Sequence, residues 1–500
     1  MMGISFQLLD TDKCDSLVRF LHEVDADFPI PLSQKVDLNA WAARVLKSGF
    51  AFAAVQEGHI VGVAAGYAND VAWRKGFLSV LAVASDARGR GIGETLVAKF
   101  EREAALRGME RISLTTHLSN IAARRLYSRM NYTTDNKLDS MGNLTYSKRV
   151  IWLTEDRPNI LLSSAGRRTY LVEWFREALD GRGLVHASNS DAAATSLAAA
   201  DRGVVTPLIY SDEYIPFMLA YCEREHIGAI IPLFDVDIPV LAAHRAEFES
   251  IGCFPVVAPA EFAIACSDKL ASHDILSAAG IRCPDTYVGA RNYESAVERG
   301  DASYPAFIKP RWGMGSIGLA EAADDEELRV LCGAVERKVR ESYLRYESAV
   351  DEPGRSVIVQ PKVDAVEYGM DVYCNLSGHY RGCVVRRKVA MRAGETDIAE
   401  VVVADARFES LARSLAELSQ HPGCMDVDVF DVDGELMVLE MNARFGGGYP
   451  FSHSAGADMP RALVSWLHGE EPEPDAFAVE LPGVYMKDMR IVRVQGSSQC

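Results

Sequence analysis

A hairpin near the end of the chain restricts the fold more than any other stretch. Cys424-Met425-Asp426-Val427-Asp428-Val429-Phe430 alternates apolar and acidic residues, as a strand with one buried face does. Asp431-Val432-Asp433-Gly434 is a turn sequence, and Glu435-Leu436-Met437-Val438-Leu439-Glu440-Met441-Asn442 continues as a second strand. Asp-Gly at the tip favours a tight connection. Side chains two apart on a strand share a face, so Glu440, Asn442 and Arg444 point one way, as do Asp426 and Asp428. The turn brings Asp428 near Glu440. Carboxylates and an amide oxygen suit a hard Mg²⁺ ion, and Mn²⁺ takes the same donors. An arginine beside them suits a phosphate, because its planar fork carries five donors. A solvated hairpin face with ordinary salt bridges has the same spacing, so the motifs upstream must decide between the two.

Those motifs come in order. Cys266-Ser267-Asp268-Lys269 is followed by Tyr304-Pro305-Ala306-Phe307-Ile308-Lys309-Pro310, a buried-strand run ending in a lysine. Arg311-Trp312-Gly313-Met314-Gly315-Ser316-Ile317-Gly318 is a glycine loop. Val357-Ile358-Val359-Gln360-Pro361-Lys362-Val363 and Glu367-Tyr368-Gly369-Met370-Asp371-Val372 complete the set. Over about residues 158–470 the chain resembles the ATP-grasp superfamily, and within it the carbamoyl-phosphate-synthetase-like carboxylate–amine ligases. The resemblance implies ATP and Mg²⁺ as cofactors. It sets Lys269 and Lys309 against the nucleotide phosphates. Gly313, Gly315 and Ser316 lie in a loop that can fold over those phosphates and offer N–H donors. Gln360, Pro361, Lys362 and Val363 match the linker whose backbone pairs with adenine, and Glu367 matches the ribose-binding acid. Asp428, Glu440 and Asn442 match the metal ligands. Arg444 matches the arginine that steadies the transferred phosphoryl group.

Gly313-x-Gly315-x-x-Gly318 also satisfies a dinucleotide fingerprint, but that motif should open directly into a helix. Here Leu319-Ala320-Glu321 comes first and helical patterning begins only near Asp324. A strand–loop–strand flap fits better. No G-x-x-x-x-G-K-[ST] is present, which disfavours a P-loop.

Residues 1–152 read as a separate unit. Phe77-Leu78-Ser79-Val80-Leu81-Ala82-Val83 is a strand, residues 84–93 are a turn rich in Gly and Arg, and residues 94–106 carry helical spacing at Leu96, Val97, Phe100 and Ala104. A strand feeding such a turn into a helix start is an anion site, since free N–H groups and the positive dipole end meet there. Arg88 and Arg90 add charge. With Arg88-Gly89-Arg90-Gly91-Ile92-Gly93, then Asn120 and Tyr127 on the following helix, this resembles the GCN5-related N-acetyltransferases (GNAT). The resemblance implies acetyl-CoA, its pyrophosphate on residues 88–93, Asn120 beside the cofactor and Tyr127 near the leaving sulfur. Many members carry a glutamate base on the strand before the loop, and this strand has none. His117, Asp70 or a water chain is left to take the proton.

Length and composition set the frame. Five hundred residues imply roughly three or four structural domains. The expected division is 1–152, an α/β pre-ATP-grasp domain at 158–265, an ATP-grasp domain at 266–470 and a C-terminal segment at 471–500. The fold class is α/β and α+β, multidomain: a GNAT fold, a doubly wound domain and an ATP-grasp fold. A net charge of −18 argues against nucleic acid and anionic membranes as partners. Ten scattered cysteines without C-x-x-C pairs fit thiols in a reducing cytosol. No basic–apolar–cleavage order marks a signal peptide, and the apolar run at 227–234 is too short to span a bilayer. The location expected is cytoplasmic, the partners are small-molecule carboxylate and amine substrates, and a homo-oligomer is compatible with all of this.

Two points stay open at this level. Asp235, at a strand end, either touches substrate or caps the next helix. Arg386-Arg387-Lys388 either binds an anion or is a solvated charge run. The expected function is an ATP-dependent carboxylate–amine ligase with an N-terminal acetyltransferase, acting on amino acids or a small peptide-like metabolite. The alternatives are a ligase tuned by an acetyl-CoA-sensing domain, and carboxy-phosphate or carbamate chemistry.

Overall fold

The computed structural model of the protein describes residues 4–313, 318–342, 355–392 and 394–494. It divides into two compact units. One is Met1–Trp152 with Ser465–Glu471; the other is Leu153–Val464 with the chain from Pro472 on.

The first unit is built on a seven-stranded sheet, ordered Ser5–Leu8, Phe50–Gln56, His59–Asp70, Lys75–Val83, Arg111–His117, Asn143–Arg149, Thr133–Leu138. Its one parallel pair is Lys75–Val83 with Arg111–His117, joined only from Lys75↔Arg111 to Leu78↔Leu114. Parallel neighbours need a crossover, which helix Ile92–Leu106 supplies. That helix buries Leu96, Val97, Phe100 and Ala104 on one sheet face. Leu17, Phe20, Trp41 and Val45 from two other helices cover the opposite face. Ser79 is an extra residue on its strand, since Ala65 faces Val80 while Gly66 faces Leu78. Such a bulge bends a strand. Beyond it, residues 79–83 and 115–117 no longer pair with each other.

The second unit opens with five parallel strands ordered Arg202–Val205, Val185–Asn189, Asn159–Ser163, Ile227–Pro232, Phe254–Pro255. Ile227–Pro232 is buried along its whole length, as a strand covered by helices on both faces must be. Helices Thr169–Leu179 and Tyr214–Arg224 are among the crossovers. Two further sheets follow. The four-stranded one runs Tyr287–Val288, Val357–Pro361, Ala306–Pro310, Ala320–Ala322. Strand Ala320–Ala322 follows the glycine loop and helix Asp325–Glu341 comes after it, so that loop does not open into a helix. The six-stranded one runs Glu435–Asn442, Gly423–Val432, Val366–Cys374, Tyr380–Arg392, Glu395–Val402, Gly483–Met486. Its last strand comes from the C-terminal segment, which therefore completes a sheet edge. Val432 faces Glu435 across a two-residue turn in which Asp433 (φ 54°) and Gly434 (φ 90°) are both left-handed, a type I′ geometry.

Among the described residues the cysteines form no disulfide, and no helix is long and apolar enough to cross a membrane.

Candidate functional site

In the second unit a cavity of about 510 Å³ lies over the two antiparallel sheets and the ends of the parallel strands. The hairpin register sets its floor. Asp428 faces Glu440 and Asp426 faces Asn442. On the next strand Gly369 faces Asp428 and Asp371 faces Asp426, and beyond it Arg386 faces Gly369. Charges of both signs thus form rows across four strands. Lys309 and Phe307 reach the cavity from Ala306–Pro310, whose alternate residues Ala306, Ile308 and Pro310 are buried. Burial pulls the Lys309 ammonium down to about 8, with Glu440 opposing and Lys269 adding to the fall. Lys269 stands 3.7 Å from Glu440 and donates to the Gly313 carbonyl. Lys388 binds Glu367 at 2.6 Å and Asp428 at 2.7 Å. Burial raises the Asp428 carboxyl against the pull of that lysine.

A second network lies under the first. Arg386, 3% exposed, donates to Asp371, to Ser452 Oγ at 2.6 Å and to Asp426 at 3.2 Å. Arg444 donates to Asp426 at 3.3 Å and to Asp235 at 2.9 Å. Buried charges need such partners, because desolvation is otherwise too costly. The glycines after Arg444 leave room for them. A Cβ at Gly446 would stand 2.2 Å from the Asp426 carboxyl carbon, and one at Gly448 would stand 2.8 Å from Arg386 Nε.

Most of the residues singled out from the sequence meet here. Lys269, Lys309, Gly313, Gln360, Pro361, Val363, Glu367, Asp428, Glu440, Asn442 and Arg444 all line the cavity. Gln360 donates to Thr286 Oγ1 at 2.8 Å, beside the apolar Phe307, Leu319, Phe430 and Leu439. Lys362 departs from expectation: it lies just past the strand end and does not line the cavity, its ammonium meets Glu321 at 2.9 Å, and its N–H donates to the Pro305 carbonyl. Gly315 and Ser316 lie outside the described residues. Strand alternation splits Arg386-Arg387-Lys388, with Arg387 turned to Glu400 and the other two inward. Asp235 pairs with Arg444, and Val236 rather than Asp235 stands at the N-cap of the next helix. Sequence reasoning missed the roles of Lys388 and Asp371. Period-two patterning along 384–388 could have placed Lys388; nothing local marks the Asp235 pairing. It also passed over Arg168, which lines the same cavity.

In the first unit a cavity of about 680 Å³ opens between the unpaired strand ends. Residues 79–83 and Thr115, Thr116 and His117 line it, with Arg88, Gly89, Gly91, Ile92, Gly93, Asn120 and Tyr127. Gly89 (φ 75°) and Gly91 (φ 73°) are left-handed, so the chain turns sharply into helix Ile92–Leu106 and its first N–H groups stay free of side-chain caps. The two arginines differ from expectation. Arg88 lines the cavity but donates to Asp27 at 2.5 Å and to the Val83 carbonyl at 2.9 Å, so its guanidinium is already paired and braces the loop. Arg90 donates to Gln56 at 3.1 Å and does not line the cavity. Asn120 caps its helix by accepting from Ala123 N–H at 3.2 Å. Burial raises the Tyr127 phenol well above its ordinary value, so it stays protonated at neutral pH. His117 lines the cavity, with Ser119 Oγ 2.8 Å from its Nδ1; Asp70 does not line it.

Comparison with known proteins finds family matches in both units. The acetyltransferase (GNAT) family model matches residues 17–132. The PylC-like N-terminal domain matches residues 160–257, and the ATP-grasp domain of the biosynthetic pathway with the Ter operon matches 354–489. The large chain of carbamoyl phosphate synthase from Mycobacterium tuberculosis is 26% identical over 286 residues, 54% of this chain and 24% of that one. The chain therefore spans about a quarter of the length of the carbamoyl phosphate synthase chains it matches. Biotin carboxylase from Campylobacter jejuni superposes with a TM-score of 0.51 at 17% identity, over 64% of this chain and 73% of that one. N5-carboxyaminoimidazole synthetase from Staphylococcus aureus gives 0.52 at 13%, over 67% and 83%. The chain carries a GNAT domain, a PylC-like domain and an ATP-grasp fold.

Proposed function

We propose that the second unit is an ATP-dependent carboxylate–amine ligase. The observation that carries this is one cavity in which Lys269, Lys309, Arg444, Asp428, Glu440 and the Asn442 amide converge from two sheets and a helix. ATP would lie with its base by Gln360 and the apolar wall and its phosphates by Lys269 and Lys309. Asp428, Glu440 and Asn442 are oxygen donors paired across one hairpin, which fits Mg²⁺. When bound, Mg²⁺ supplies charge neutralisation on the phosphates. A substrate carboxylate oxygen attacks the γ-phosphorus and ADP leaves. The amine nitrogen of the second substrate then attacks the acyl carbon, phosphate leaves, and the amine gives up a proton. Arg444, held by Asp235 and Asp426, would balance charge on the phosphoryl group.

The first unit would transfer acetyl from acetyl-CoA to an amine. Pyrophosphate fits the free N–H groups at residues 88–93. The amine attacks the thioester carbon, and Tyr127 donates a proton to the departing thiolate. Among the described residues His117 is the one imidazole lining this cavity, and it would accept the amine proton. A second reading, an acetyl-CoA sensor, is favoured by the lack of any carboxylate on strand Lys75–Val83.

Mass spectrometry after incubation with ATP, Mg²⁺, acetyl-CoA and pooled amino acids tests both. An amide product with stoichiometric ADP supports the ligase. ATP turnover with bicarbonate or carbamate alone would overturn it. Saturable acetyl-CoA binding without CoA release would favour the sensor.

A further inference from the structure

The loop that leaves strand Asn159–Ser163 is built with unusual care. Asp237, fully buried, receives the Ser163 hydroxyl on one carboxylate oxygen at 2.7 Å and the Ser164 hydroxyl on the other at 2.8 Å. Ser164 (φ 48°) and Gly166 (φ 54°) are both left-handed. Three backbone bonds fix the loop further: Ala165 N–H to Ser188, Arg168 N–H to Ala165, and Ser196 N–H to Gly166. A non-glycine residue held left-handed persists where its surroundings over-determine it, and such residues gather at ligand sites.

What this loop presents is Arg168. It enters the ligase cavity from the carboxyl end of a parallel strand, the position where open α/β sheets bind ligands. Its guanidinium is anchored on the Leu233 carbonyl. The cavity's other two arginines each carry two carboxylates, Asp371 and Asp426 on Arg386, Asp235 and Asp426 on Arg444. Arg168 pairs with none among the described residues. An arginine fork facing a cavity with its charge unbalanced matches a carboxylate, which it can bind through two parallel hydrogen bonds. The Tyr170 hydroxyl lies beside it; burial raises that phenol while Arg168 and Arg444 draw it back down.

We propose that Arg168 binds a carboxylate of the ligase's substrates other than the one that is phosphorylated. Arg444 and the hairpin carboxylates already serve the reacting end, and Arg168 comes from a different sheet. The proposal rests on the ligase reading above. The second carboxylate is either that of an amino acid acting as the amine or the far carboxylate of a dicarboxylic acid.

The test uses the full chain, Arg168→Gln and Arg168→Lys, with matched probes. Amino acids are compared with their amides as amine donors, and dicarboxylic acids with their monoamides as acids. For the wild type, masking the second carboxylate should raise KM roughly 10- to 100-fold, the range of a charge-assisted pair. Arg168→Gln should raise KM for the unmasked compounds equally and leave the masked ones unchanged. Arg168→Lys should recover part of the loss, and affinity for a non-hydrolysable ATP analogue should not move in either variant. Which pair responds identifies the source of the carboxylate. Calorimetry of the same probes on the MgADP-loaded chain reads the anchor even if no product forms, so failure of the ligase reading is seen separately. Equal losses for masked and unmasked probes, weakened nucleotide binding, or wild-type binding that ignores masking would each overturn the proposal.

Discussion

The two cavities are made of different material. The front one is mostly backbone: two left-handed glycines, an uncapped helix start, a bulge and two strand ends that stop pairing. Its nearest arginine is already tied to Asp27. The second unit's cavity is mostly side-chain charge, laid in rows by strand register and balanced internally. A pyrophosphate can be held by N–H groups at a helix start with little net charge. Moving a phosphoryl group needs formal charges close to the reacting atoms. Single charge deletions should therefore cripple the second cavity and spare the first, where backbone changes matter more.

The largest expected effect is from Glu440→Ala. Removing a carboxylate from the hairpin row should cut ATP-dependent ADP formation by roughly 10²–10³-fold or more, by analogy with loss of one transition-state partner. CoA release should not change. If both activities fell together, the separation of the two cavities would be lost. Gly91→Glu is the mirror experiment. A Cβ at Gly91 meets nothing within 4 Å, so the substitution acts by left-handed strain and by placing a carboxylate at the anion site. Acetyl-CoA should no longer saturate the protein in a titration, while ADP formation continues. Tyr127→Phe should slow acetyl transfer by about 10²-fold, the low end for a general acid, with acetyl-CoA affinity kept; a matching loss of affinity would make Tyr127 a packing residue.

Smaller effects sharpen the contrast. Lys309 titrates near 8, so below that pH it is charged before ATP arrives, and above it the nucleotide must recharge it. ATP affinity should be flat below pH 8 and fall above it by up to about tenfold per unit. Lys309→Met should bind ATP roughly 10- to 100-fold more weakly and show no such slope. A slope that survives in the variant would point to another group. The mildest test is acid stability. Buried His186 and His421, both in the second unit, are lowered to about 4. The unfolded chain then binds protons first, so the stability they lend is whole above pH 6.5 and declines as pH falls toward 4. Thermal scans across that window should show the second unit's transition moving in step, and less so in His186→Gln.

How much could be read without the fold follows from the range of each interaction. Local rules governed the hairpin. Asp433-Gly434 suits a two-residue turn, that turn fixes the register, and the register puts Asp428 opposite Glu440. The helix start after Gly91 and the strand carrying Lys309 were legible for the same reason, since turn chemistry and period-two patterning act within a few residues. Lys362 and Arg90 were misplaced because a motif match names a segment and does not say which way each side chain turns. The rest belongs to contacts between distant segments. Arg88 meets Asp27 across 61 residues, Lys388 meets Asp428 across three strands, and Asp235 reaches Arg444 across 209 residues. No propensity or spacing encodes such pairs. They exist because burying a charge is too costly unless an opposite charge is carried to it, and only the packed chain decides which one arrives.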